Sequence, residues 1–185
     1  TTAMDIYDIL VVDSNSCYGD AEGRAWVYVS GGQPVYSYLW DNGDIGYLAD
    51  SLTGGLHSVE VTDTWGCILD TSVWIPEDSL IESTLQIADS ISCYGDSDGA
   101  ITVTTGGGIY SYTYFWSTGQ SGLGLDSIGG LSYGNYHLTT RDDLGCVVTD
   151  SIYLPEPDPL YVNAQEILRA SCYGVSDGQA FATGI

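Results

Sequence analysis

The stretch Ala100-Ile101-Thr102-Val103-Thr104-Thr105-Gly106-Gly107-Gly108-Ile109-Tyr110-Ser111-Tyr112-Thr113-Tyr114-Phe115-Trp116 decides the fold. Its first half alternates Ile101 and Val103 with Thr102 and Thr104, and its second half puts Tyr112, Tyr114 and Trp116 on one face. A period of two marks strands with one side toward a core and the other toward water. The glycines between supply the positive φ that a hairpin reversal needs. Residues 25–40 repeat the arrangement: Ala25, Val27 and Val29 alternate with Trp26, Tyr28 and Ser30, then come Gly31-Gly32, then Tyr36, Tyr38 and Trp40 on one face. These six aromatics, Tyr36, Tyr38, Trp40, Tyr112, Tyr114 and Trp116, are the expected aromatic core.

Working outward, the matches continue. Cys17-Tyr18-Gly19-Asp20 returns as Cys93-Tyr94-Gly95-Asp96 and as Cys172-Tyr173-Gly174-Val175, at spacings of 76 and 79 residues. Asp63-Thr64-Trp65-Gly66-Cys67 matches Asp142-Asp143-Leu144-Gly145-Cys146, and Ile75-Pro76-Glu77 matches Leu154-Pro155-Glu156. Matches at constant offset are the signature of tandem repeats. Between Trp40 and Leu52 the offset moves from 76 to 79, so the second repeat carries three extra residues in the loop-like Ser117-Thr118-Gly119-Gln120-Ser121-Gly122-Leu123-Gly124. The expected domains are 1–77, 78–156, and a third repeat begun at 157–185 and cut off there. Six or seven short antiparallel strands per repeat predict an all-β chain of tandem Ig-like β-sandwich modules. Each would be about 30–40 Å long, and joined by stiff Pro-Glu segments they would form an elongated rod.

Composition closes other doors. The 185 residues hold three arginines, no lysine and 25 Asp plus Glu, for a net charge of −22. Phosphate backbones need basic residues, so nucleic acid is not a partner. The longest purely aliphatic run, Ile9 to Val12, is too short to enter a bilayer, so no membrane insertion is expected in this segment. Yet 44% of residues are hydrophobic and 12% aromatic, which separates the chain from disordered acidic tails. Catalysis finds no constellation: at the 79-residue offset His57 falls on Tyr136 and His137 on Ser58, so no repeated site keeps its register.

Five cysteines contain no Cys-x-x-Cys, which argues against zinc ribbons. Pairing within repeats joins Cys17 to Cys67 across 50 residues and Cys93 to Cys146 across 53, leaving Cys172 for a partner beyond the fragment. A rival joins neighbours, Cys67 to Cys93 and Cys146 to Cys172, both 26 apart; free cysteine is the third reading. Pairing within repeats is favoured here, because so small a module has little core and closing a ~50-residue loop adds about 4 kcal/mol. Bridges in turn imply an oxidising, extracellular setting.

Two further sets of residues raise ligands. Trp26 and Trp74, with Trp65, stand where the second repeat has Thr102, Tyr153 and Leu144; they are candidates for glycan contact, against plain packing on a sheet face. Asp96 and Asp98, two apart before Gly99, are a fragment of a calcium loop, against simple turn capping. Beyond a weak attraction of calcium to so acidic a chain, no cofactor is expected.

The pattern Cys-x-Gly-x-x-Asp-Gly, then Gly-Gly, Tyr-x-Tyr-x-Trp, Asp-x-x-Gly-Cys and a closing Pro-Glu resembles the SprB repeat, found in very large cell-surface adhesins of gliding Bacteroidota. It is carried here by Cys93, Gly95, Asp98, Gly99, Gly107, Gly108, Tyr112, Tyr114, Trp116, Gly134, Tyr136, Asp142, Gly145 and Cys146 and their counterparts, with mild departures at Glu22 and His57. The resemblance implies export by type IX secretion and display at the cell surface in filaments, with a part in gliding motility. It implies attachment to external surfaces, polysaccharide or other surface proteins, self-association in filaments, and no catalytic residues. The sequence thus reads as a structural and adhesive segment, with a glycan- or calcium-binding module as the alternative.

Overall fold

A computed structural model describes residues 2–184, with Glu166 by its backbone only. The first repeat forms β1 (Asp5–Asp13), β2 (Gly23–Ser30), β3 (Ser37–Trp40), β4 (Leu48–Leu52), β5 (Gly55–Thr62) and β6 (Ile68–Ile75). The second forms β7 (Glu82–Asp89), β8 (Gly99–Gly106), β9 (Thr113–Trp116), β10 (Ser121–Leu123), β11 (Ser127–Leu131), β12 (Gly134–Arg141) and β13 (Val147–Leu154). After them come β14 (Val162–Leu168) and β15 (Gln179–Gly184), an antiparallel pair. Among the described residues there is no helix, and so none long and apolar enough to cross a membrane.

In the first repeat, sheet β1-β2-β4 faces sheet β3-β5-β6. Alternate residues from both sheets fill the space between: Ala25 and Val27, Ala49 and Leu52, Trp40, Val59 and Val61, Val73 and Ile75. Burying each large side chain of this set contributes about 1.5–3 kcal/mol. The strand order is that of an immunoglobulin sandwich, with A-B-E on one side and C-F-G on the other. The second repeat repeats it as β11-β8-β7 and β10-β9-β12-β13. Ig-like β-sandwich is therefore the fold.

The residues between the two diagnostic strands behave differently from the expected hairpin. β2 and β3 lie in different sheets, as do β8 and β9, so the glycine turn carries the chain across the sandwich and does not join two paired strands. The extra residues of the second repeat also do more than loop, since Ser121–Leu123 pair with β9 as a fourth strand. Backbone proximity divides the described residues into two compact units. One holds 2–84, 104–125 and 138–150; the other holds 85–103, 126–137 and 151–184. The second unit has its own buried apolar residues, Ile91, Ile101, Val103, Ile128, Leu131 and Leu154.

Candidate functional site: the cysteine turns and an aromatic sheet face

The repeated motifs meet in space, and each meeting fixes a cysteine. Asp63 is buried, its Oδ1 accepting from the backbone N–H groups of Trp65 and Cys67 and its Oδ2 from that of Gln33. Asp142 does the same for Gly145, Cys146 and Ile109. Three N–H donors stabilise a carboxylate strongly, and for Asp63 these bonds, that from Cys67 foremost, hold its pKa below the ordinary range. The glycine pair lets the backbone come this close. A Cβ on Gly108 would sit 2.6 Å from Asp142 Oδ2, and one on Gly107 would sit 1.8 Å from the Leu80 carbonyl oxygen. The Tyr112 hydroxyl donates to the Gly107 carbonyl at 2.6 Å, and the Tyr36 hydroxyl likewise to Gly31.

The first cysteine of each repeat sits on a second kind of turn. Asp20 N–H bonds to the Cys17 carbonyl at 3.2 Å, and Gly19 N–H bonds to Glu77 Oε2 at 3.1 Å. Asp96 N–H and Gly95 N–H make the corresponding bonds to Cys93 and Glu156. The closing Pro-Glu of a repeat is thus the clasp of its own Cys-Tyr-Gly turn.

These two turns lie at opposite ends of the sandwich, which corrects the expected bridges. Asn15 N–H bonds to the Pro76 carbonyl beside Gly23 and Leu52, whereas Asp63 meets Gln33 just past Ser30. Seven steps of β2 separate those ends, roughly 23 Å. A disulfide tolerates a Cα separation of only about 4.4–6.8 Å, so Cys17 and Cys67 cannot bond. Cys17 is instead bonded to Cys146, their Cα atoms 5.6 Å apart, 129 residues away in sequence. That bond also removes Cys146 from the expected pair with Cys93. Cys67, Cys93 and Cys172 are exposed free thiols, so the neighbour pairing of Cys67 with Cys93 and of Cys146 with Cys172 is not made either.

Of the aromatics expected in the core, Trp40, Tyr114 and Trp116 are buried, while Tyr36, Tyr38 and Tyr112 are half-buried. The indole N–H groups of Trp40 and Trp116 donate to the carbonyls of Gly46 and Leu125, tying the crossover loops to the strands. Trp26 and Trp74 do not converge: one is on β2 and the other on β6, on the outer faces of opposite sheets. Trp74 stands across from Leu56, both exposed. Trp26 is half-buried in a cluster that sequence reasoning missed, with its ring edge-on to Tyr28 and Tyr47 at 6.1 and 6.2 Å and Tyr28 6.0 Å from Tyr7. The period-two pattern of β2 could have given Trp26 and Tyr28 together; Tyr7 and Tyr47 lie outside that pattern.

Asp96 and Asp98 meet at the Ser92 hydroxyl. Asp98 accepts both the N–H and the O–H of Ser92, and Asp96 accepts from the same hydroxyl at 3.4 Å. These bonds lower the pKa of Asp98, the side-chain bond most. Ser171 and Asp177 close the third repeat's turn identically, and in the first repeat Asn15 replaces both by accepting from Glu22 and Gly23 N–H. The pair therefore closes a loop. Among the described residues no group of three His, Cys, Asp or Glu gathers to hold a metal ion.

Comparison with known proteins gives one family match: the SprB repeat, at residues 9–45 and 85–121. No curated protein matches the chain. Among solved structures, the chain is similar to a C-terminal 282-residue fragment of intimin in complex with the intimin-binding domain of the translocated intimin receptor. Identity there is 15% over 88% of this chain and 67% of that one, with a TM-score of 0.35. For the N-terminal eight Ig domains of Down syndrome cell adhesion molecule the values are 12%, 84%, 25% and 0.36, and for murine CEACAM1b 13%, 81%, 100% and 0.32. At those scores the topology rests on the strand order described above, not on the likenesses.

Proposed function

Because two stretches of the chain, 9–45 and 85–121, match the SprB repeat, we propose that it is a structural and adhesive segment of a bacterial cell-surface protein, exported, non-enzymatic, and serving to hold and project. The observation that carries this reading is the Cys17–Cys146 bond, which ties a turn of one repeat to a turn of the next across 129 residues. A covalent clasp between successive modules suits a chain under tension, and it needs the oxidising conditions found outside the cytoplasm. The charge of −22 keeps such a chain soluble and self-repelling at high surface density. Other surface proteins or polysaccharide are the partners, and gliding is the setting the family suggests. An antibody raised against the chain, applied to intact cells, tests it: surface labelling is expected, and signal only after permeabilisation would overturn the reading.

A second reading has its own observation. The outer face of sheet β1-β2-β4 carries Tyr7, Trp26, Tyr28 and Tyr47, with Tyr7 61% and Tyr47 60% exposed. Sugars stack on such faces. The second repeat offers Ser83, Thr102, Thr104 and Asp126 there, so binding would belong to the first repeat alone. On a glycan array, Trp26→Ala would abolish the signal and Trp74→Ala, on the other sheet, would leave it. Equal loss from both changes would refute a site on this face.

A further inference from the structure

The bonded turns come with a pocket, and that pocket recurs beside a cysteine that has no bond. Next to Cys17 lies a cavity of about 350 Å³ lined by Tyr18, Leu80 and Ile81 and closed by Gly145, Cys146 and Val147. Next to Cys93 lies one of about 440 Å³ with Tyr94, Pro159 and Leu160 at the equivalent positions. Among the described residues nothing stands where Gly145–Val147 close the first cavity. The Cys93 turn is otherwise the same, with its clasp from Glu156 in place. Its thiol is exposed, as is that of Cys67, whose turn is held by Asp63 as the Cys146 turn is held by Asp142.

We propose that Cys93 and its pocket form a docking and bonding site for the Gly-Cys turn of an adjoining repeat of the same kind. The rule is that the first cysteine of one repeat bonds the second cysteine of the repeat that follows. It accounts for the three thiols together: Cys67 needs a repeat before the first, and Cys93 and Cys172 need second cysteines from repeats after the second. Pairing within repeats would have left one thiol. The bond forms by thiol–disulfide exchange with a disulfide oxidant, a protein or glutathione disulfide. One thiolate attacks it to give a mixed disulfide and a leaving thiolate, and the second cysteine displaces the rest. The two thiols lose two protons and two electrons, and the oxidant becomes two thiols. The inference stands on the bond and the pockets, whether or not the module is adhesive.

The test is peptide mapping after alkylation without reduction. The 185-residue chain should give one cross-link, Cys17 to Cys146, with Cys67, Cys93 and Cys172 alkylated. In the same chain with residues 78–156 repeated once in tandem, the added copy marked by a conservative change, a second cross-link should appear. It should join Cys93 of the first copy to the second cysteine of the added copy, and Cys93→Ser in the first copy should remove it alone. A link between the two cysteines of one copy, or no second link, overturns the proposal. If the extended chain does not fold, the unextended chain still decides, since a Cys17–Cys67 or Cys67–Cys93 cross-link there refutes the rule.

Discussion

Stretching a single chain from its two ends, with and without reductant, asks the structure for a length. The Cys17–Cys146 bond encloses 129 residues. An unfolded chain reaches at most about 3.3–3.6 Å per residue, so the bond withholds roughly 430–460 Å of contour. The residues outside the loop, 185 less 129, can supply only roughly 185–200 Å. Force spectroscopy in oxidising buffer should therefore show full unfolding that ends near that shorter length. After reductant is added, the same molecules should gain the withheld length when one bond is cut. Bridges within each repeat give a different record. Loops of 50 and 53 residues would release two steps of roughly 165–190 Å each. Two such steps, or a contour unchanged by reductant, would refute the reasoning.

The remaining predictions concern the turns. Asp142→Ala takes the carboxylate from three backbone N–H groups, leaving those of Ile109 and Cys146 without it while Gly145 N–H keeps the residue-142 carbonyl. It should cost about 2 kcal/mol in denaturant unfolding; a loss below about 1 kcal/mol would mean that water replaces the carboxylate at no cost. Gly107→Ala places a methyl 1.8 Å from a backbone oxygen at a φ of 73° and should destabilise by at least about 3 kcal/mol, whereas Gly119→Ala, with a φ of 87° and nothing within 4 Å, should cost about 1–2 kcal/mol by the same assay. Asp63 has a depressed pKa when folded, so its contribution is complete above the unfolded value near 3.9 and is lost as pH falls through the folded value. The Tm difference between wild type and Asp63→Asn should hold steady above about pH 5 and shrink below about pH 4; a difference independent of pH would refute the assignment.

How much of this was legible beforehand depends on which interactions were local. Strand periods and turn glycines are local, so the alternations read at Ala25–Ser30 and Ile101–Thr104 fall within β2 (Gly23–Ser30) and β8 (Gly99–Gly106). The role of the glycine pair was legible only in part. Its positive φ values are real, 57° at Gly32 and 59° at Gly108, but the reason for them lies across the fold at Asp63 and Asp142. A two-residue reversal and a turn that hands the chain to the opposite sheet use the same residues, and only the partner strand tells them apart. Asp98 was open for a similar reason: two carboxylates before a glycine suit both a cation and a serine, and Ser92 is the one they meet.

The cysteine pairing failed for a reason in topology, and that reason is recoverable. Four strands lie between Cys17 and Cys67. If each reversed the last, Cys67 would return to the end where Cys17 sits, and a bridge within the repeat would close easily. The chain does not do this. β3 pairs with β5 so that Ser37 lies beside Thr62, and β4 pairs with β2 so that Leu52 lies beside Gly23. β3 and β4 therefore climb in the same direction, one in each sheet: the chain turns back at Asp41–Gly43, where the Trp40 N–H meets the Asp44 carbonyl at 3.0 Å, and turns again as it crosses the sandwich before Leu48. That connection, which leaves β3 and β4 running the same way, sends Cys67 to the far end. Spacing counts residues and is blind to direction, so loops of 50 and 53 residues looked like equivalent small rings. The crossing itself has a sequence correlate in the tryptophan that precedes it, whose indole N–H binds a carbonyl within the crossing loop, Gly46 in one repeat and Leu125 in the other. Once the crossing is recognised, the two cysteines of a repeat belong to its two ends, and the bond that forms, Cys17 to Cys146, takes one of each from neighbouring repeats.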